Sequence, residues 1–240
     1  MTMIAMQASS PPRPLNKLLA RLPDEDYRRL DPLFETVKLS GKSVLHSPGA
    51  PLQRVYFPEG GVCSTTCMMA DGDVVDVAII GNEGVVGINA ILRGELALYE
   101  ALVRIPNNAR ALPVTVFRRE MERGGAFHDI MTRYAQAFVA HLMQSVACNT
   151  LHPIEKRCAR WLLDMQDRMG RAEFPLTQEL LATMLGVRRA SIAVCASDLH
   201  HKELIDFGQR RLVIRDRTRL EAVCCECYVT VKGNFSRLLA

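Results

Sequence analysis

Apolar residues along this chain change their spacing twice. From Asn16 to Leu30 they fall at helical intervals (Leu18, Leu19, Leu22, Tyr27), with Pro23-Asp24 as the predicted helix start. From Thr36 to about Val116, short β-rich runs alternate with turn signals. These are Gly41-Lys42, Ser47-Pro48-Gly49, Pro58-Glu59-Gly60-Gly61, Asp71-Gly72, Gly81-Asn82-Glu83-Gly84 and Pro106-Asn107-Asn108. Turns at such regular spacing predict an all-β sandwich or jelly roll. Asp71-Gly72, between Thr65–Met69 and Val74–Ile79, predicts a hairpin. Helical spacing returns from about Phe117 to Asn149, carried by Phe127, Ile130, Met131, Tyr134, Phe138, His141, Leu142, Ser145 and Val146. Such a helix between two domains is either a buried core element or one half of a coiled coil, and His141 and Ser145 interrupt its apolar stripe. Pro153 suits the first turn of a further helix through Met169.

The stretch Leu176 to Ile205 carries the most specific pattern. A short amphipathic helix (Leu180, Leu181, Met184, Leu185) reaches Gly186-Val187. Thr177 is its predicted N-cap, and Glu179 complements its dipole. A second helix places Ile192, Cys195, Ala196 and Leu199 on one face and opens with Arg188, Arg189, Ala190 and Ser191. Two short helices joined by a Gly-containing turn form a helix-turn-helix. Arg188 stands where a Ser or Asp cap is expected, so the free N–H groups there suit a phosphate. The forked donors of Arg189 match guanine O6 and N7, and Ala190 and Val194 face the same side, where thymine methyl groups lie. Arg188 and Ser191 are assigned to phosphates. Leu204–Phe207, the turn Gly208-Gln209-Arg210-Arg211 and Leu212–Ile214 predict a β-wing with a basic tip. The predicted DNA-contacting set is therefore Thr177, Gln178, Arg188, Arg189, Ala190, Ser191, Val194, Gln209, Arg210 and Arg211. With two such heads in view, the long helix is read as a dimerisation helix, with Ile130, Tyr134, Phe138, His141 and Ser145 on the seam.

Charge placement agrees with this reading. The net charge is only +4, but residues 1–150 balance 15 Lys+Arg against 15 Asp+Glu, whereas residues 151–240 carry 15 against 11. An excess confined to the C-terminal part is a footprint for a polyanion. The most apolar stretches, Val74–Ile80 and Val85–Leu92, are too short to span a membrane. The opening MTMIAMQASSPPRPL lacks the pattern of a secretory signal and is read as a short disordered tail. Eight cysteines without such a signal point to reduced thiols and a cytoplasmic location.

Taken together, these stretches resemble the Crp/Fnr family of bacterial transcription regulators over nearly the whole length. Leu176–Ile205 resembles the family's helix-turn-helix, Gly81–Gly87 (GNEGVVG) resembles the glycine-bearing turn of the cyclic-nucleotide-binding roll, and His152–Leu163 followed by Leu176-Thr177 has the family's spacing. The closing Cys224-Cys225-Glu226-Cys227-Tyr228 resembles a subgroup that ends in a Cys-Glu-Cys-Tyr motif. The resemblance implies an α+β chain. It would hold an N-terminal tail and helix (1–30), a cyclic-nucleotide-binding-like β-roll sensor (31–116), a dimerisation helix (117–150) and a winged helix-turn-helix domain (151–240). It implies double-stranded DNA, a second copy of the chain and RNA polymerase as partners, and no membrane.

Departures from the family pattern are informative. Cyclic-AMP-binding relatives carry a Glu after the second glycine of the roll turn, where this chain has Ile88. They also carry an Arg-Ser pair a few residues later, where Leu98–Ala101 reads Leu-Tyr-Glu-Ala. A buried cyclic phosphate without a cation is costly, and Glu100 repels it, so neither cAMP nor cGMP is expected. The candidate effector pocket is Gly84, Gly87, Ile88, Tyr99 and Glu100. In the reading head, Arg189 keeps the family's arginine, while Ala190 and Val194 replace a Glu and an Arg. No cysteine precedes Cys63, which excludes the N-terminal cysteine set of iron–sulfur relatives.

Cys63 and Cys67 lie about 13 Å apart along a strand and are read as core thiols. On a helix, Cys224 and Cys227 would share a side while Cys225 points elsewhere. That leaves a metal or redox role open beside plain packing. His46, His128, His141, His152, His200 and His201 show no H-x-x-x-H spacing, so no metal and no cofactor is expected. Nucleophile-elbow and phosphate-loop motifs are missing. Three readings stand: a homodimeric DNA-binding regulator, the same scaffold as a thiol or metal sensor, and a cupin-like enzyme with an accessory helical domain.

Overall fold

The computed structural model describes residues 12–239, and the predicted tail falls mostly on residues outside these. A 3-10 turn at Leu19–Arg21 precedes α1 (Asp24–Leu30), which begins directly after Pro23. Strands β1 (Glu35–Leu39), β2 (Val44–His46), β3 (Arg54–Pro58), β4 (Val62–Met68) and β5 (Val74–Ile80) follow. Then come the single-turn α2 (Ile88–Ile91), β6 (Glu100–Ile105) and β7 (Asn107–Pro113). They build two antiparallel sheets, ordered β1-β7-β3 and β2-β6-β4-β5. β4 and β5 pair antiparallel across the Asp71-Gly72 turn.

The inner faces of both sheets (Val55, Phe57 and Leu112; Cys63, Ile80 and Val103) close on apolar residues from the helices that follow: Phe117, Phe127, Met131 and Tyr134. These helices are α3 (Val114–Arg123) and α4 (Gly125–Leu151). One continuous helix was expected here, but the chain breaks at Gly124-Gly125. Both glycines take φ +76°, a left-handed value that side chains with a Cβ disfavour. The break lets α3 fold back, so that Phe117 meets Phe127 edge-on at 5.5 Å.

The face of α4 expected at a subunit seam is used inside the protomer. Tyr134, Phe138 and His141 are buried, and Phe235 lies near Tyr134 and His141 at 6.3 and 6.1 Å between ring centres. Ile130 and Ser145 are partly buried. The exposed apolar stripe of α4 is instead Val139, Met143 and Val146. Spacings of four and three put these three on one side of a helix.

After Pro153, which stands at its N-cap position, α5 (Ile154–Met169) leads into the C-terminal unit: β8 (Glu173–Pro175), α6 (Gln178–Leu185), α7 (Arg189–His201), β9 (Ile205–Phe207), β10 (Arg211–Ile214), α8 (Arg217–Val223) and α9 (Cys227–Leu238). A small sheet, β8-β10-β9, closes it. Its apolar core runs through Leu162, Leu181, Ile192, Leu199 and Leu212. It continues onto Val62, Ile79 and Ile105 of the roll, so the two parts share a packed surface. Among the described residues, no single helix is long and apolar enough to cross a membrane.

Candidate nucleic-acid interface

The helix-turn-helix is built by short-range chemistry. Thr177 caps α6, its hydroxyl accepting from the Leu180 N–H at 3.1 Å. Gly186 ends α6 in the left-handed conformation, and the axes of α6 and α7 then turn by 110°. Ile192, Cys195, Ala196 and Leu199 point into the core and fix which side of α7 remains outside. That outer side is Arg188, Arg189, Ala190, Ser191 and Val194, all exposed.

The N-terminus of α7 suits an anion. Arg188 stands at the cap position, and no side chain satisfies the first N–H groups. Free amide hydrogens and the positive end of the dipole then point outward together. Arg189 approaches Glu179 only to 4.0 Å, with both side chains mostly exposed. An exposed pair of this kind holds an arginine weakly. Among the described residues, Arg188 and Arg210 form no ion pair.

The wing is the β9–β10 hairpin, with Leu212 paired to Phe207. Gln209, Arg210 and Arg211 are exposed at its tip, and Arg211 also reaches Glu173 of the neighbouring β8 at 3.2 Å. Thr177 and Gln178, at the start of α6, are partly buried. The fold thus brings the reading-head residues onto one exposed helix face, with the three wing residues on a separate hairpin of the same domain.

The candidate effector residues are not gathered in this way. Gly87, Ile88 and Tyr99 line a half-open pocket with His46, Leu52 and Thr65. Gly84 lies elsewhere, against the Tyr134 ring: a Cβ built there would stand 2.5 Å from the Tyr134 hydroxyl oxygen. Glu100 takes a hydrogen bond from Thr66 at 3.3 Å. The glycines of Gly81-Asn82-Glu83-Gly84 thus serve close packing, since a Cβ on Gly81 would meet Arg168 of α5 at 2.8 Å.

Six of the eight cysteines fall into two groups, while Cys67, expected in the core, and Cys224 are only partly buried. Cys63, Cys158 and Cys195 are buried in apolar cores. Cys224 and Cys227 do not share a helix side, as they would on a continuous helix. α8 ends at Val223 and α9 begins at Cys227, so residues 224–226 are not helical and the helical spacing rule fails there. Cys225 and Cys227 instead meet Cys148 and His152 at the end of α4, a set that could hold a metal ion. Sequence reasoning missed Cys148-x-x-x-His152, an i, i+4 pair on one helix face.

Comparison with known proteins agrees with this architecture. Residues 156–223 match the Crp-like helix-turn-helix domain family. The Global nitrogen regulator of Synechocystis sp. is 19% identical over 223 residues, covering 89% of this chain and 97% of that protein. The structure of FixK2 from Bradyrhizobium japonicum superposes with a TM-score of 0.71 at 17% identity, covering 80% of this chain and 98% of FixK2. TTHB099, a transcriptional regulator of the CRP family from Thermus thermophilus, gives 0.66 at 19% identity, covering 78% and 95%. Residues 156–223 thus match the Crp-like helix-turn-helix family, and the chain shares its fold with solved regulators of the CRP and CRP/FNR families.

Proposed function

We propose that the chain is a homodimeric, sequence-specific DNA-binding regulator of transcription that acts in the cytoplasm, with RNA polymerase as a further partner. The observation that carries this reading is the start of α7. It is exposed, uncapped and arginine-bearing, and it is held by a buried opposite face on a domain that also offers a basic wing. Arg189 reads a base edge, Ala190 and Val194 touch thymine methyl groups, and Arg188, Ser191, Gln209, Arg210 and Arg211 hold the backbone. Thr177 and Gln178 set α6 across the phosphates.

Two copies pair through α4, with the exposed stripe Val139, Met143 and Val146 as the seam. The roll acts as a sensor that takes neither cAMP nor cGMP. Support comes from Ile88, which stands where cAMP-binding relatives carry a Glu, and from Glu100, whose charge opposes a phosphate. A thiol- or metal-responsive variant of this reading draws on the cysteine set described above.

Selection of bound duplexes from a randomised pool tests the proposal. The expected product is a two-fold-related site whose half-sites lie about 10 base pairs apart, centre to centre. Recovery of no preferred sequence at moderate salt would overturn it.

A further inference from the structure

Three buried thiols form a small cluster separate from both apolar cores: Cys148, Cys225 and Cys227. Thiols that merely fill space belong to the core they fill, as Cys158 and Cys195 do here. These three have a different surrounding. Cys148 lies in the last turn of α4, and His152, four residues on, caps that helix. Cys225 and Cys227 come from the break between α8 and α9, 77 residues along the chain from Cys148 in the case of Cys225.

The distances suit one small ion. The Sγ atoms of Cys148 and Cys225 lie 3.5 Å apart, and Cys227 Sγ lies 3.5 Å from His152 Nδ1. All four donor atoms fall within 4.8 Å of one another. A tetrahedral ion with metal–sulfur bonds of about 2.3 Å and a metal–nitrogen bond of about 2.0 Å places its ligands roughly 3.5–3.8 Å apart. The surroundings also suit a metal. His152 turns its other ring nitrogen to Glu226, 3.2 Å from the carboxylate, which fixes the ring with Nδ1 facing the sulfurs. Gln144 donates to Cys227 Sγ at 3.0 Å, a contact that stabilises a thiolate. Arg157 and Arg160 of α5 bear electrostatically on Cys148 and offset the negative charge that three thiolates bring to a divalent ion.

We propose that Cys148, His152, Cys225 and Cys227 bind a zinc-class divalent cation. Soft sulfur donors with one imidazole select such an ion over magnesium or calcium. Four protein ligands leave no open position, which makes the site structural rather than catalytic. On binding, the three thiols release their protons and no electrons move. The ion joins the end of α4 to the entry of α9, so it clamps α4 to the C-terminal helices that follow the wing. The site stands on its own residues and does not depend on the DNA reading.

The test uses the full-length protein, purified under reducing conditions and analysed for metal by mass spectrometry, then stripped with a chelator and reloaded with zinc or cobalt. The expected results are one ion per protomer and, with cobalt, the intense thiolate-to-metal absorption of a tetrahedral site. Cys225→Ser, Cys227→Ser and His152→Ala should each weaken zinc affinity at least tenfold. Glu226→Gln should weaken it about 10–100-fold. Cys224→Ser, whose thiol instead meets the Cys225 carbonyl oxygen, should leave it unchanged. Failure of the reduced wild-type chain to take up zinc or cobalt would overturn the proposal. So would an octahedral cobalt spectrum, a Cys148–Cys225 disulfide in the native protein, or uptake unaffected by the Cys225 and Cys227 substitutions. Should a variant not fold, the wild-type cobalt spectrum decides alone.

Discussion

Arg168 of α5 reaches Glu83 in the second sheet's turn, with 2.9 Å between Nε and the nearer carboxylate oxygen. It is a close charge contact rather than an aligned hydrogen bond. Arg168 also donates to the Asp164 carbonyl oxygen at 3.0 Å and is buried. The pair ties the β-roll to the first helix of the C-terminal unit, and Gly81 keeps the path clear.

Breaking a buried pair from one side leaves a charge uncompensated, at a cost of about 3–5 kcal/mol. Arg168→Met is expected to lose that much in urea unfolding. Glu83→Gln combined with Arg168→Met should recover a sizeable part of it. Equal losses in the single and double variants would show that Glu83 is not the partner that matters.

How far these features were readable from sequence depends on how local their causes are. The helix-turn-helix was legible because Thr177, Gly186 and the buried row Ile192, Cys195 and Leu199 act within a few residues of one another. The Gly124-Gly125 break was hidden because apolar spacing resumes at once with Phe127. Which side of α4 turns inward was not legible because both sides carry apolar residues. Tyr134 and His141 turn inward only because Phe235, about a hundred residues later in the sequence, comes to lie beside them. Cys148 and Cys225 belong together for a similar reason: nothing local to either cysteine announces a partner 77 residues away.

Specificity and affinity should separate by residue. Arg189→Ala is expected to lower specific affinity by about 1–3 kcal/mol and relax the preference at one base pair. Arg210→Ala, at the wing tip, should weaken binding to every sequence alike and lower the salt dependence by about one counterion. Titrations of matched and single-substituted duplexes at several salt concentrations measure both. A sequence-dependent loss in Arg210→Ala would reassign the wing to base readout.

The stripe Val139, Met143 and Val146 predicts where subunits join. Burying two such side chains is worth about 1.5–3 kcal/mol each. Met143→Glu with Val146→Glu should therefore raise the dimer dissociation constant about 100-fold or more. Sedimentation over a concentration series reads the change directly. A dimer untouched by these changes but lost on substitution elsewhere would move the seam.

His141 predicts a pH dependence of stability. Burial, with Arg168 and Arg160 nearby, pushes its imidazole down to about 3 from an ordinary 6.5. Below pH 6.5 the unfolded chain gains a proton there that the native chain does not take. The contribution of His141 is therefore fully favourable above that pH and declines as pH falls towards 3. The slope is about 1.4 kcal/mol per pH unit, so lowering the pH from about 6 to about 4.5 should cost the wild-type chain about 2 kcal/mol more than His141→Phe. The Phe ring keeps the contact with Phe235 and takes no proton. Parallel unfolding midpoints for the two chains across that range would mean that His141 titrates normally in the native state.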